Sequence, residues 1–448
     1  MLRETENTLV AASARNDRND RPNPHFGTET MPALQASAAQ QSGMRREAGN
    51  IIIHKASYHN RLLAIGSVAA EHRSLSFGQW AQIACGIRQR MEAVSACLDQ
   101  VFKGRALPEF LVQNSAVVRR LRTFTNQIGE VTRQSISWGW LASTDLYIAT
   151  NGRIMVIDQN LSSPTGIELL ARLIDRTRTE SITAFNDLGR WMADSVSMYS
   201  GGSDASSMVV LDPCRYNPTF RENEFLARMI GAQIAHPGEL VVTKDGVELV
   251  SGIKRTRIHS IVRRVDDDLL DPNCFRPDSL VGLPGLCKAW KDGRVNLVNP
   301  PGSSAASIRS FVQLVPTMIR EFLAEEPALQ IASSQECSAP DAMQELITDP
   351  TRFAVRTNDP MHPARPYFGD AASTAETLSM FNNVRRDPSK FVMRSLLPKS
   401  EVRGFNVRVF SSMGKGFYMP RCGIGRQCQS DGGATLAIND DVSACFVG

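Results

Sequence analysis

The chain has 448 residues, 42% apolar and 21% charged, with a formal net charge of +4. That length supports two or three domains with ample core, and so small a charge excess gives no global case for a nucleic-acid partner. The longest apolar stretch, Ile51 to Ala70, is broken by His54, Lys55, His59, Asn60 and Arg61, which excludes it as a membrane span.

The nine cysteines are scattered, and only Cys422 and Cys428 fall close together near the C-terminus. No CxxC or histidine pairing marks zinc, so reduced thiols and a cytoplasmic location are the expectation. Residues 1–50 are rich in Ala, Ser, Asn, Arg and Gln and read as a disordered leader. Their acidic residues and lack of an apolar core argue against a secretory signal. From 51 to 137 the pattern turns helical, with apolar positions three and four apart at Trp80, Ala84 and Ile87, at Met91, Val94 and Leu98, and at Val117, Leu121 and Phe124. Arg119, Arg120 and Arg122 take the other face of the last group, where a solvated surface is the simpler reading than a phosphate or nucleic-acid contact.

Trp138 to Gly166 carries the first chemistry. Alternating Leu146, Ile148, Ile154 and Val156 flank Asn151-Gly152, a pair suited to a type I′ turn, and predict a β-hairpin. Pairing brings Asp145 towards the end of the second strand, where Asp158 and Asn160, two apart, share a face. Two carboxylates and an amide oxygen are hard ligands suited to Mg2+, which keeps waters and bridges to substrate phosphates. The plainer alternative is an edge-strand charge and a loop, with Ser163 to Gly166 as turn residues.

Ile167 to Met198 then reads as one or two helices. Met208 to Leu211 suits a buried parallel strand ending at Asp212-Pro213, followed by a helix around Glu224 to Ile234 and another strand from Leu240 to Val242. That order makes a small α/β layer, whose ligands sit beyond the carboxyl ends of its strands. The loop Asp212 to Phe220 is therefore expected to face a cleft.

Four ordered segments follow: Ile261 to Pro272, with Arg263-Arg264 before Asp266, Asp267 and Asp268; Phe275 to Leu286; Gly293 to Gly302; and Met318 to Pro327, a helix running into Glu325-Glu326-Pro327. Together with the hairpin they closely resemble the circularly permuted ATP-grasp family, type 2, from about Asp145 to about Leu436. The resemblance implies an α/β (α+β) fold of permuted ATP-grasp architecture with an N-terminal helical region. Its first part, 138–350, would carry the metal-binding hairpin and the small α/β layer, and 351–448 would be the nucleotide clamp. ATP and Mg2+ are the implied cofactors, with Asp145, Asp158 and Asn160 holding the metal against the phosphates. Thr165 and Gly166 would seat an acyl-phosphate through backbone N–H groups. Arg264 is expected to grip a phosphate or a carboxylate, and Asp267 beside it either shares in catalysis or satisfies the arginines in a structural network.

In the clamp, Phe353 to Arg356 reads as a strand before a phosphate-covering loop, with Arg356 where the wider superfamily has lysine. Thr374 to Arg386 reads as a helix, and Asn406 to Phe410 as a strand whose Arg408 can reach the phosphates. Two departures stand out. Arg394 and Ser395 take the place of the family's glutamine-glutamate, and Arg421-Cys422 replace two glycines after Met419-Pro420, where the backbone path is expected to change. The family's additional helical domain has no counterpart before Gly448, so a truncated clamp is one expectation. The implied activity joins a small-molecule or peptide carboxylate to an amine through an acyl-phosphate. The alternative is a catalytically lapsed nucleotide- or partner-binding descendant, favoured by Arg394-Ser395, and neither reading involves a nucleic acid or a membrane.

Overall fold

The hairpin sits inside the largest sheet. β2 (Ala142–Ile148) and β3 (Ile154–Asn160) pair antiparallel around a turn where Gly152 takes a φ of +83°. Asn151 does not adopt a positive φ, so the turn differs from the expected type I′. Gly152 N donates to Ala149 O at 2.9 Å, Ala149 N pairs with Arg153 O at 2.9 Å, and Asn151 Oδ1 accepts from Arg153 N at 3.0 Å. A three-residue loop closed by one left-handed glycine has the same Asn-Gly signature as a two-residue loop, which is why the sequence does not separate them.

The computed structural model describes residues 73–132, 136–177, 181–199, 207–359, 365–396, 404–427 and 442–447, all within one compact unit, Ile51–Gly448. The expected leader over 1–50 and the stretch Ile51 to Ala70 lie outside the described residues. The eight-stranded sheet runs in the order β1 (Arg73–Leu75), β19 (Val442–Val447), β18 (Cys422–Gln427), β16 (Phe405–Met413), β2, β3 and β11 (Gln330–Ile331), with β17 (Phe417–Tyr418) beside β16. The last strands thus complete the hairpin's own sheet, and a division at 350/351 cuts through it.

Helices cover both faces of this sheet. α1 (Phe77–Phe102) begins at a capping box between Ser76 and Gln79 and buries Trp80, Ile83, Ile87, Met91, Val94 and Leu98. These join α2 (Ser115–Ile128) and the inward side chains Leu146, Ile148, Val156, Val407 and Val409 in one core. On the other face, Ile167, Leu170 and Ile174 of α3 (Ile167–Thr177) and Leu188 and Met192 of α4 (Ser181–Tyr199) pack with Phe410, Cys422, Ile424 and Phe446. Each such large apolar side chain contributes about 1.5–3 kcal/mol on burial.

A second sheet is fully parallel, in the order β10 (Asn296–Val298), β9 (Ser260–Arg263), β4 (Met208–Leu211), β5 (Gln233–Ala235), with α5 (Phe220–Ile230) crossing from β4 to β5. The uninterrupted apolar run of β4 is buried along its whole length, as a strand covered on both faces requires. β6 (Leu240–Val242) does not join this layer. It pairs with β7 (Val247–Ser251), and β7 with β8 (Lys254–Ile258), in a separate antiparallel sheet. The turn from Thr243 to Gly246, closed by Thr243 N to Gly246 O at 2.6 Å, folds the chain back on itself.

The fourth sheet, β12 (Gln335–Glu336), β15 (Phe391–Ser395), β13 (Phe353–Thr357), β14 (Tyr367–Phe368), is antiparallel. α8 (Thr374–Arg386), capped by Ser373 and Glu376, lays Met380 and Val384 against Val355, Tyr367 and Met393. α6 (Leu286–Lys291) and α7 (Arg309–Met318) add Leu286, Trp290, Phe311 and Val315 to the first core.

Candidate active site

Asp145 and Asp158 are register partners across the hairpin, but only because the ladder slips beside them. Leu146 pairs with Val156, which leaves Ile157 as an extra residue. In a regular strand Asp158 would share the face of Val156, which is buried in the α1 core. The bulge turns it to the face of Asp145, and Asn160, two residues further and paired with Ser143, keeps that face.

Arginines from four distant elements close on this pair. Arg408, the register partner of Asp145 on β16, holds it in a forked pair, Nε to Oδ1 at 2.7 Å and Nη2 to Oδ2 at 2.8 Å, and also donates from Nη1 to Thr165 O at 3.2 Å. Arg309, the first residue of α7, donates from Nη2 to Asp158 Oδ2 at 2.9 Å, and Arg356 Nη2 on β13 lies 3.8 Å from the same oxygen. Arg394 stands diagonally from Arg356 on β15 and is drawn by the charge of Asp158. Burial pulls the Arg356 and Arg394 guanidiniums down to about 9 and about 10, so both stay cationic at neutral pH. Arg309 Nε and Arg394 Nη2 are buried without a hydrogen-bond partner among the described residues. Four guanidiniums against two carboxylates leave the cleft with surplus positive charge and spare donors, which is the chemistry of a phosphate site.

Arg356 also lines a cavity of about 280 Å³ between the fourth sheet and α8, walled by Val355, Tyr367, Phe368, Met380 and Phe391. The cavity and the arginine cleft therefore share a wall. The two are tied together by main chain: Arg309 N donates to Asn358 O and Ser310 N to Asn358 Oδ1, both at 2.9 Å, and Arg309 Nη1 donates to Thr357 O.

A family model for circularly permuted ATP-grasp type 2 proteins matches residues 73–426. The chain belongs to this family. It is 24% identical over 339 residues to an uncharacterized protein of Synechocystis, covering 74% of this chain and 70% of that one. A Mycobacterium tuberculosis protein, also uncharacterized, is 26% identical over 344 residues, 74% of this chain and 62% of its own. A putative glutamate–cysteine ligase of Frankia alni is 22% identical over 346 residues, but this chain spans only 39% of its length. The fold is that of a glutathione synthetase like-effector from Globodera pallida, with a TM-score of 0.51 at 9% identity, over 89% of this chain and 97% of the effector.

The remaining sequence-predicted residues of this ATP-grasp chain lie beside the carboxyl ends of the parallel strands. Arg264 is buried, donates from Nε to Asn223 Oδ1 at 2.7 Å and approaches Glu222 Oε1 at 4.0 Å; burial lowers its pKa. Glu222 Oε1 accepts from Gly166 N at 2.7 Å and Ile167 N at 3.2 Å. The Gly166 N–H expected for an acyl-phosphate is thus held by Glu222, while Arg408 takes the Thr165 carbonyl. Asp267 is 1% exposed, with Oδ1 in an ion pair 2.9 Å from Arg263 Nη2 and accepting from Gly302 N at 3.1 Å, and Oδ2 accepting from Ser304 N at 3.0 Å. These contacts tie Asp267 to Arg263 and to the backbone at Gly302 and Ser304.

Sequence reasoning missed Arg309 and Glu222. Neither lies in a motif; Arg309 reaches Asp158 across 151 positions of chain. Arg394 had a signal. Pairing Phe353–Thr357 with Phe391–Ser395 antiparallel puts it on the face of Arg356.

Proposed function

We propose that this ATP-grasp chain is an ATP-dependent carboxylate–amine ligase that works through an acyl-phosphate with Mg2+. The observation that carries the reading is the Asp145–Asp158 pair, set on one face by the bulge and enclosed by Arg309, Arg356, Arg394 and Arg408. The cavity beside Arg356, with Tyr367, Phe368, Met380 and Phe391 on its wall and polar Glu376, Ser379 and Asn383 among them, suits a planar base, with the phosphates directed to the arginines. The oxygens on the hairpin face are the hard donors a dication takes: Asp145 and Asp158 are carboxylates, and the amide oxygen of Asn160 accepts from Ser162 N at 2.9 Å and Ser163 N at 3.2 Å. Arg408 holds both oxygens of Asp145 and Arg309 one of Asp158, so the ion would bind through their remaining lone pairs, together with the phosphates that offset the arginines. Bound there, Mg2+ would offset charge on the transferring phosphoryl oxygens.

The arginines supply the rest of that neutralisation. Arg309 and Arg394 have spare buried donors for phosphate oxygens, and Arg356 stands between cavity and cleft. A substrate carboxylate attacks the γ-phosphorus and ADP leaves; an amine then attacks the acyl carbon and inorganic phosphate leaves. Arg264, Glu222 and Asn223 act from behind, fixing the backbone at Gly166 and Ile167. The name of the Frankia relative makes glutamate and cysteine the first substrates to try.

The test is ADP release with ATP, Mg2+ and a pool of carboxylates and amines, comparing the native chain with Asp158→Ala. Release should fall at least about 100-fold in the variant. Equal release from both would remove the site. A second reading, nucleotide binding without turnover, draws support from Arg394 in the cleft, and predicts saturable ATP binding with no ADP released under any substrate pair.

A further inference from the structure

A different cluster lies where the loop after Leu270 meets α6. Asp271, Cys274 and Cys287 each present a ligand atom, and all three atoms lie within 4.8 Å of one another. We propose that these three side chains bind a soft divalent cation of the zinc class.

The geometry is close to what that ion requires. Zinc takes thiolate sulfur at about 2.3 Å and carboxylate oxygen at about 2.0–2.2 Å, so tetrahedral ligand atoms stand roughly 3.5–3.8 Å apart. Closing from the observed spacing needs side-chain rotation of about an ångström. The carboxylate is already oriented. Asp271 Oδ1 accepts from Asn273 N and Gly285 N, both at 2.9 Å, and Oδ2 from Cys287 N at 2.8 Å. Such outer bonds fix the ligand while leaving a lone pair on Oδ2, which accepts only one of the three.

Ligand type selects the metal. Two sulfurs favour zinc-like ions over magnesium, which goes to the all-oxygen face of the hairpin. Asp271 and Cys287 are buried, at 0% and 1% exposed, and Cys274 is half-buried. Two ligands therefore lie inside and one borders water, which leaves the fourth position for a solvent molecule. The two thiol sulfurs lie within 4.8 Å of each other. Binding exchanges their two protons for the metal, M2+ plus two thiols giving a dithiolate complex plus two protons. No motif announces the site, because its ligands are spaced by two and twelve intervening residues.

The experiment uses the full chain, reduced and stripped with chelator, titrated with Co2+ and with Zn2+. One equivalent of Co2+ should produce a thiolate-to-metal charge-transfer band, with about two protons released per metal. Zn2+ should displace it and shield two cysteines from alkylation. Cys274→Ser, at the half-buried position, should lose the band while keeping the native circular dichroism. Asp271→Asn removes a charged ligand and should weaken binding at least about 10-fold, the least that loss of even an outer-sphere partner typically costs. Absence of the band, an unchanged band in Cys274→Ser, or recovery of Cys274 and Cys287 joined as a disulfide from metal-replete buffer would each overturn the site. None of these outcomes depends on ATP.

Discussion

Asp158 gathers Arg309 and Arg356 within 4 Å, so its removal does two things at once: it takes away a proposed metal ligand and leaves guanidiniums without a counter-charge. Arg394 separates those effects. Its charge is partly desolvated and its Nη2 has no hydrogen-bond partner among the described residues, so Arg394→Gln should leave thermal stability unchanged or slightly raised. If Arg394 meets phosphate, the same variant should weaken ATP binding about tenfold or more by calorimetry, since a charge-assisted hydrogen bond is worth about 1.5–3 kcal/mol. Undiminished ATP binding would remove Arg394 from the phosphate site. The buried carboxylates make a pH prediction. Burial raises the pKa of Asp212, and folded chains then bind more protons than unfolded ones in the window above the ordinary aspartate value. Stability must fall as pH rises through that window. Asp212→Asn keeps an oxygen for Asn223 Nδ2, at 2.5 Å in the native protein, and removes the titration. Its melting temperature should decline less steeply between mildly acidic and neutral pH; an unchanged slope would locate the titration elsewhere, with Glu222, also raised by burial, the first alternative. At this scale the juxtaposition of Asp145 with Asp158 and Asn160 was legible in the sequence, because all three lie in one hairpin. Of the basic half, Arg356 and Arg408 were named from the sequence and Arg394 was singled out as a departure, while Arg309 was not. Arg309 reaches Asp158 through tertiary packing across 151 positions of chain, which no local pattern records.

The hairpin shows what local pattern does and does not determine. Alternation located both strands, yet the device that aims Asp158 is an extra residue, Ile157, inside an apolar run where any register looks acceptable. The turn can be tested directly. Gly152 sits at φ +83° and a Cβ there would meet nothing within 4 Å, so Gly152→Ala carries a backbone penalty alone. It should lower stability by about 1 kcal/mol, read as a shift of the urea midpoint with no change in slope. A larger loss would mean that the turn sets the register of the bulge as well. Helices were more legible than short strands. α8 runs from Thr374 to Arg386, as its capping residues and the following Asp387-Pro388 predict. β6 was misplaced because three apolar residues carry no information about the direction of their partner; the turn after them does.

For the molecule as a whole, the main sheet is finished from both ends of the described chain. β1 lies parallel to β19, with Arg73 opposite Cys445, and β16 pairs with β2 over seven register positions from Phe405 to Ser411. The family resemblance divides the chain into a metal-binding part and a clamp, but the hydrogen bonds make the hairpin depend on strands that follow the clamp sheet. Without β16, β2 would expose a row of unpaired N–H and C=O groups, and Leu146 and Ile148 would lose Val407 and Val409 from their shared core. Asp145 would lose the forked pair with Arg408 at the same time. A chain ended after Leu396 should therefore keep the fourth sheet's own small core yet fail to melt cooperatively, with near-ultraviolet circular dichroism collapsed and no ATP-dependent shift of the transition. The buried tryptophans of the first core report on this directly, since Trp138 packs on Phe102 at 4.8 Å between ring centroids and donates to Asp99 Oδ1 at 2.7 Å. If the shortened chain instead melted in one transition at the native temperature, the strands from Phe405 onwards would be an addition to a self-sufficient fold, and Arg408 would be dispensable to the geometry of Asp145.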